Sequence, residues 1–433
     1  MNLLYSNDEV ATYPASWYAA STEPLAEFTQ LDGSQPCDVC VIGAGYTGLS
    51  TALHLAKHGA AVIVLDAHRV GWGASGRNGG QVGGGFNCTP RQLEKFVGKP
   101  RAQELWRLAD SANTLVKSLI NDHGIDCDYT AGILETTWKK RHLPYHQEQV
   151  NYLSEHYGRT ELEVLDKQSV AELLGSDVYA GGTMDPKGGH LHPLKYAFGL
   201  ASAAEAAGVR IHERSEVTAL RPGNQTRVET TTGTVTANQV VLACNGYLGK
   251  LDREVATRVM PINNFIVATE PLMDVAPEVM QGDVAVSDSQ FVVNYFRRSV
   301  DGRLLFGGGE NYSYRFPRDI TKVVRKPMLR VFPQLRDCKI DYAWGGTLAI
   351  TPYRLPCFRQ LHSNVYSASG YSGHGVALAT LAGKVIADAI YNQPHAFEQL
   401  CALPQQRFPG GDKLRSALLV LAMTYGALLD KLP

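Results

Sequence analysis

Apolar residues along this chain change period several times, and each change marks an element. Residues 38–42 and 61–65 are near-continuous apolar runs rich in branched side chains, as strands buried on both faces require. Between them, 46–58 carries helical spacing and stops at Gly59. Leu105, Leu108, Ala109, Ala112, Leu115, Val116 and Leu119 form a helical stripe over 101–120, with Trp106 beside it. Tyr129, Ile133, Leu134 and Thr136 suggest strands over 124–138, and 142–158 is a polar helix closed by Gly158. Pro193 suits the first turn of a helix that runs to about 207. Strands follow at 209–212 and 216–220, a hairpin at 227–236 around Thr232-Gly233, and a buried strand at 239–243. From 261 the pattern turns antiparallel, with strands at 265–269, 291–298 and 303–308 and an Asp301-Gly302 turn. A helix at 319–332, a last buried strand at 365–369 and a long helix at 376–391 complete the body. Residues 1–35 have no period and read as an arm pinned by aromatics such as Trp17 and Tyr18.

Composition narrows the class without changing this picture. With 433 residues, two or three domains are expected. The 41 basic and 42 acidic residues nearly cancel, and no basic run points to nucleic acid. No apolar run is long enough to span a bilayer, and the start shows no signal peptide. The apolar run in 413–432 reads as a helix docked on the protein's own surface. Eight scattered cysteines suit a reduced compartment, so the expected location is the cytoplasm. Cys37 and Cys40, three apart on a strand, should face opposite sides and fill core. His190 and His192 alternate, but no third ligand has a recognisable spacing, so no metal is expected.

The chemistry begins at Gly43, Gly45 and Gly48, spaced GxGxxG between the first strand and the first helix. Gly43 permits the tight turn, Gly45 the approach of a pyrophosphate, and Gly48 the close seating of the helix on the sheet. The helix N-terminus then faces the phosphates. Asp66, at the end of the second strand, stands where a carboxylate accepts hydrogen bonds from ribose. Eight glycines then crowd residues 71–85, with Trp72, Arg77, Asn78 and Gln81 threaded among them. This mix suggests backbone passing close to a flat ligand rather than a linker. Further on, Gly370-Tyr371-Ser372-Gly373-His374-Gly375 opens the last long helix.

The unit at 38–67 followed by ASGRNGGQ, together with YPASWYA, GGHLHPLKYAFGLA and FPGG, resembles the D-amino-acid-oxidase-like superfamily of FAD-dependent amine and amino-acid oxidoreductases. Within it, the chain is most similar to the γ-glutamylputrescine oxidase branch. The resemblance implies an α/β fold: a discontinuous Rossmann-like FAD domain with a central parallel sheet (36–95, 188–258, 345–395) and an α+β substrate domain with a large antiparallel sheet (96–187, 259–344). The arm is 1–35 and the helical tail 396–433. It implies FAD contacts at Gly43, Ala44, Gly45, Thr47, Gly48, Asp66, Ser75, Arg77, Asn78, Gly79, Gly80, Gln81, Val217, Asn245, Gly246, Gly370, Gly373, His374 and Gly375. Some relatives bind flavin covalently. Here 345–350 holds no cysteine and 71–85 no histidine, so FAD is expected to be non-covalent. A lysine that aids the oxygen reaction in relatives has no counterpart in Arg303-Leu304-Leu305-Phe306.

The implied reaction is oxidation of a small-molecule amine, with hydride transfer to FAD, hydrolysis of the imine and return of electrons to O2 as peroxide. Trp344, Tyr371 and His374 are the candidate catalytic-pocket residues. Two alternatives stand beside this: a dehydrogenase of the same fold that passes electrons to a quinone or carrier, and a non-enzymatic flavoprotein.

Overall fold

A computed structural model describes residues 2–311 and 315–410. Two sheets organise it. The first runs in the order Cys357–His362, Val365–Ser369, Gly233–Leu242, Gly33–Ile42, Val62–Leu65, Arg210–His212. All neighbours are parallel except the edge pair Cys357–His362 and Val365–Ser369. The hairpin Val217–Arg221/Thr226–Thr230 hangs from the start of Gly233–Leu242. The apolar runs are continuous because both faces are covered. Val39, Val41, Val62 and Val64 meet the helices, including Tyr46–Lys57, Pro193–Ala206 and Gly375–Ile390. Cys40, Ile42, Ile63 and Leu65 meet the hairpin and the Leu248–Val259 region.

The second sheet runs Ile340–Ile350, Met260–Pro271, Arg303–Asn311, Tyr295–Arg298, Ala285–Asp288, Thr130–Thr137, Gly181–His190, Gln81–Val82. Only the pair Ala285–Asp288 and Thr130–Thr137 is parallel in that path. Strand alternation divides its side chains. Phe265, Val267, Phe296, Leu304 and Phe306 pack under the helix Ile320–Val331. Ile266, Ala268, Leu305 and Trp344 join the core of the first sheet.

The second sheet departs from the expected segmentation. Gly181–His190 crosses the boundary at 188, Ile340–Ile350 crosses that at 345, and Gln81–Val82 comes from the first segment. Trp344-Gly345-Gly346-Thr347 therefore lies inside a strand. Its glycines are needed there, because a Cβ on Gly345 would lie 2.7 Å from the Phe316 ring and one on Gly346 3.3 Å from Arg77. The strand expected from 291 starts only at Tyr295. Upstream, the Asp288 carboxylate accepts from the Gln290 and Asn294 backbones and from the Asn294 and Trp138 side chains, which winds 288–294 into a loop.

Cys37 and Cys40 both reach the same hydrophobic cluster, contrary to simple alternation. The Asp38 and Val39 N–H groups both donate to the Ala61 carbonyl, at 2.9 and 3.2 Å, so the backbone is irregular between the two cysteines. Both thiols are free and buried. His190 ends a strand and pairs with Asp283 at 3.3 Å, whereas His192 caps the next helix. Among the described residues no cluster of three potential metal ligands forms, and no helix is long and apolar enough to cross a membrane. The expected helix in 413–432 lies outside the described residues.

The arm is folded onto the body. Its short helix Trp17–Ala20 is capped by Ser16, and Trp17 and Tyr18 are buried. Farther along, the Phe28 N–H donates to Glu213 and the Leu31 N–H to Ser215.

Candidate active site

Two helix N-termini lie side by side. A Cβ on Gly383 would fall 2.5 Å from the Ser50 Cβ and 2.6 Å from the Thr51 nitrogen, so glycine lets Gly375–Ile390 press against Tyr46–Lys57. Ser50 donates to the Thr380 carbonyl at 2.7 Å, and the Thr47 and Tyr371 hydroxyls share a hydrogen bond of 2.6 Å. Neither helix has a side-chain cap. Their partial positive ends are thus left for an anionic or electron-rich group.

The glycine turn is built as its spacing implies. Gly43 has φ +110°, and a Cβ there would meet the Ala243 carbonyl at 2.8 Å. A Cβ on Gly48 would lie 1.8 Å from the Gly43 oxygen, so the helix sits directly on the turn. A Cβ on Gly45 would touch the Ser75 hydroxyl at 2.8 Å, and that hydroxyl also accepts from the Tyr46 N–H. Asp66 accepts from the Ala44 N–H at 2.7 Å and the His68 N–H at 2.8 Å. Burial pushes its carboxyl up to about 6, against these hydrogen bonds.

The crowded glycines at 71–85 also have a cause within the protein. Most answer to the protein's own packing. A Cβ on Gly76 would meet the Gly71 carbonyl at 2.3 Å, on Gly80 the Leu191 carbonyl at 2.1 Å, and on Gly79 the Tyr295 ring at 2.7 Å. The loop is wedged between Pro193–Ala206 and the second sheet. Asn78 braces it, donating to the Ala74 and Ser75 carbonyls and accepting from the Gly80 N–H. Arg77 is buried and donates to the Trp72 carbonyl at 2.6 Å, the Gly345 carbonyl at 3.3 Å and Asp8 at 2.7 Å. Trp344, also buried, donates its indole N–H to the Arg77 carbonyl at 3.0 Å and packs edge-on to Tyr18.

Asn245, in the left-handed region at φ 46°, accepts from the Gly370 N–H at 2.9 Å and so ties the strand end at Leu242 to the last helix turn. Gly246 packs below Leu348, and Val217 is buried in the hairpin core. Gly370 and Gly373 have positive φ, +74° and +99°, which Cβ-bearing residues rarely adopt. His374 is partly exposed beside Gly375 and stays neutral, because burial pulls it down to about 4. Burial raises Tyr371, which stays protonated. Trp344 lies within the strand Ile340–Ile350, and the turn that carries Tyr371 meets the end of the same strand, where the Ser372 N–H donates to the Ala349 carbonyl at 3.1 Å.

Sequence reasoning missed a row on the inner face of the second sheet. Tyr295 lies flat across Gly307, where a Cβ would be 2.0 Å from its ring, and its hydroxyl bonds Asn264. Ile266 pairs with both Gly307 and Trp344 in register. Arg297, buried beside them, donates to the Gly79 carbonyl at 2.8 Å and the Leu191 carbonyl at 3.0 Å. Alternation around Phe265 and Val267 separates the two faces but does not say which one meets the glycine loop.

These residues fit FAD. Two uncapped helix N-termini converge, a Cβ-intolerant turn leads into the first of them, and the buried Arg77 Nη2 and Gln81 Nε2 donors have no hydrogen-bond acceptor among the described residues. Buried donors are rarely left so.

Residues 38–389 match the family model described as FAD dependent oxidoreductase, DAO. The chain is 40% identical over 422 residues to gamma-glutamylputrescine oxidoreductase of Escherichia coli K12, covering 97% of this chain and 99% of that protein. Among solved structures, glycine oxidase of Geobacillus kaustophilus superposes with a TM-score of 0.70 at 21% identity, over 83% of this chain and 95% of that one. L-proline dehydrogenase of P. horikoshii gives a TM-score of 0.68 at 20% identity, over 84% of this chain and 94% of that one.

Proposed function

The chain belongs to the FAD-dependent oxidoreductase family, and from that premise we propose that it oxidises a primary or secondary amine of the γ-glutamylputrescine type. The observation that carries the substrate class is the 40% identity, along almost the full length of both chains, to the E. coli enzyme of that name. FAD, when bound, supplies the acceptor for the hydride that leaves the carbon beside the amine nitrogen; the resulting imine takes up water to give an aldehyde and an amine or ammonia. Dioxygen is the proposed final acceptor and becomes hydrogen peroxide.

The protein's part is placement and desolvation. Trp344 is a fixed wall, held by the Arg77 carbonyl and the Tyr18 ring. Tyr295 and Asn264 offer hydrogen-bonding atoms on an otherwise apolar row containing Ile266 and Leu305. Such a surface favours the neutral amine, the form that gives up hydride readily. His374 and Tyr371 would serve as neutral neighbours of the reacting groups: a histidine depressed to about 4 is a weak base at neutral pH, and Tyr371 holds its proton. The helix start at Gly375 would place positive potential near electron-rich atoms of the cofactor.

The test is anaerobic mixing of the yellow protein with a panel of amines and amino acids. γ-Glutamylputrescine and close analogues are expected to bleach the flavin, and air should then restore the colour with one peroxide per turnover. No bleaching by any amine would overturn the reading. Bleaching without peroxide would favour the second reading, a dehydrogenase. That reading has its own support: no lysine stands among the inner-face residues Asn264, Ile266, Ala268, Tyr295, Leu305, Trp344 and Gly346. FAD is proposed to be held without a covalent bond. Acid precipitation should then leave a white pellet and a yellow supernatant, and a yellow pellet would refute it.

A further inference from the structure

The arm does more than cover the body. Asp8 is the only carboxylate within ion-pair distance of Arg77 among the described residues, at 2.7 Å, and the Arg77 side chain is 1% exposed. Arg77 does not depend on Asp8 for its place. It is also held by the Trp72 and Gly345 carbonyls, and its guanidinium lies 4.4 Å from the Trp72 ring centroid. The neighbouring contacts keep the arm in register. The Ala11 N–H donates to His68 Nδ1 at 2.9 Å, His68 Nε2 pairs with the Leu4 carbonyl at 2.9 Å, and Trp72 donates to the Thr12 carbonyl at 2.8 Å. His68 and Trp72 stack at 3.6 Å, and burial keeps His68 neutral by pulling it down to about 4. Of this group, then, only Asp8 and Arg77 are charged, and one comes from the arm while the other comes from the glycine loop.

We propose that Asp8 is a charge-setting residue of the flavin site: by neutralising Arg77 from the arm, it lowers the affinity of the bound flavin for electrons and for anions. The inference rests on the proposed reading that FAD, when bound, lies beside Arg77 and Trp344, and it does not depend on which amine is oxidised. A buried guanidinium left without its counter-ion makes the surrounding potential more positive. Anything that leaves negative charge on the flavin ring is then favoured.

Sulfite is a suitable probe, because it adds to the flavin ring, leaves negative charge on it and bleaches its visible band. It requires no amine substrate. In the FAD-loaded full-length protein, Asp8→Asn is expected to bind sulfite on the order of tenfold more tightly than wild type and to shift the flavin midpoint potential upward. Asp8→Glu should return both towards wild type. Ser16→Ala serves as the control for a loosened arm, since the Ser16 hydroxyl caps Trp17–Ala20 and carries no charge. It should lower thermal stability while leaving sulfite affinity within about twofold of wild type. Unchanged or weaker sulfite binding in Asp8→Asn would overturn the proposal. So would an equal change in Ser16→Ala, which would make the arm a strap only. Should Asp8→Asn fail to retain FAD, Asp8→Glu decides alone: a potential or sulfite affinity shifted away from wild type in the anion-disfavouring direction would count against charge as the cause. Failure of every amine in the panel would refute the proposed reaction but leave these measurements intact.

Discussion

Gly48→Ala is expected to yield a protein that carries no FAD. The added Cβ would lie 1.8 Å from the Gly43 oxygen and 3.0 Å from its carbon, both backbone atoms of the turn that would face the FAD phosphates. Backbone cannot rotate aside as a side chain can. The helix Tyr46–Lys57 would have to lift from the sheet, and it is bound to Gly375–Ile390 through Gly383 and Ser50. The cost belongs at the top of the range for single substitutions, about 4 kcal/mol or more. The flavin-to-protein ratio after purification checks this, with circular dichroism to report what remains folded. A yellow, fully loaded Gly48→Ala protein would show that the helix seats differently. Gly45→Ala is the informative companion. Its Cβ would meet the Ser75 hydroxyl at 2.8 Å, an atom that can turn away. It should weaken FAD binding while leaving a folded chain.

The second large effect is in pH. Asp66 stands at about 6 in the protein without cofactor, raised by burial and, in smaller measure, by the charge of Glu213. Ribose hydroxyls donate to an ionised carboxylate and gain less from a protonated one. FAD would therefore hold Asp66 in its ionised form and lower its pKa, and binding would release a proton at pH values below about 6. The sign follows directly: FAD affinity is steady above neutrality and falls as the pH drops through the free-protein value. Between about pH 7 and pH 5 the dissociation constant should rise roughly tenfold. Titrating the apoprotein with FAD at a series of pH values measures it. Asp66→Asn should bind more weakly at neutral pH and lose most of this slope. A slope that survives in Asp66→Asn would assign the titration to another group. In the unliganded protein the same shift acts on stability in the opposite sense. A carboxyl raised above its ordinary value favours the fold below the ordinary range, and that contribution is lost as pH rises through about 6.

Much of the nucleotide half was readable from residue order. Gly43 and Gly48 make the tight turn and the close helix seat that their spacing implies, because turn, helix and strand there are contiguous in the chain, and Asp66 accepts from the Ala44 N–H of that turn. The helices at 99–122 and 375–390 followed from their apolar stripes within a few residues. What could not be read is what depends on distant chain segments. The glycines at 76, 79 and 80 looked like a ligand's cradle, yet helix and sheet neighbours far away in sequence fill the space beside them. Tyr295 and Asn264 were invisible for the same reason: their shared hydrogen bond joins two strands that are brought together only by Arg303–Asn311 between them. Trp344, expected at the catalytic pocket, is buried against the glycine loop, and its contact with Tyr18 depends on where an aperiodic arm comes to rest. The strands Gly181–His190 and Ile340–Ile350 run across the expected limits at 188 and 345, because a strand's period does not reveal which sheet receives it.

The central strand Gly33–Ile42 pairs with Gly233–Leu242, starting at Gly33 opposite Gly233. On a ribosome adding about 5–20 residues each second, the first strand waits on the order of ten to forty seconds for that neighbour to be made. Val365–Ser369, which closes the other side, comes later still. Until Gly233–Leu242 is made, Val39 and Val41 stand on an open edge, able to pair with other nascent chains. Yield of this protein in a cell should therefore respond to translation speed and to chaperones that shield emerging strands.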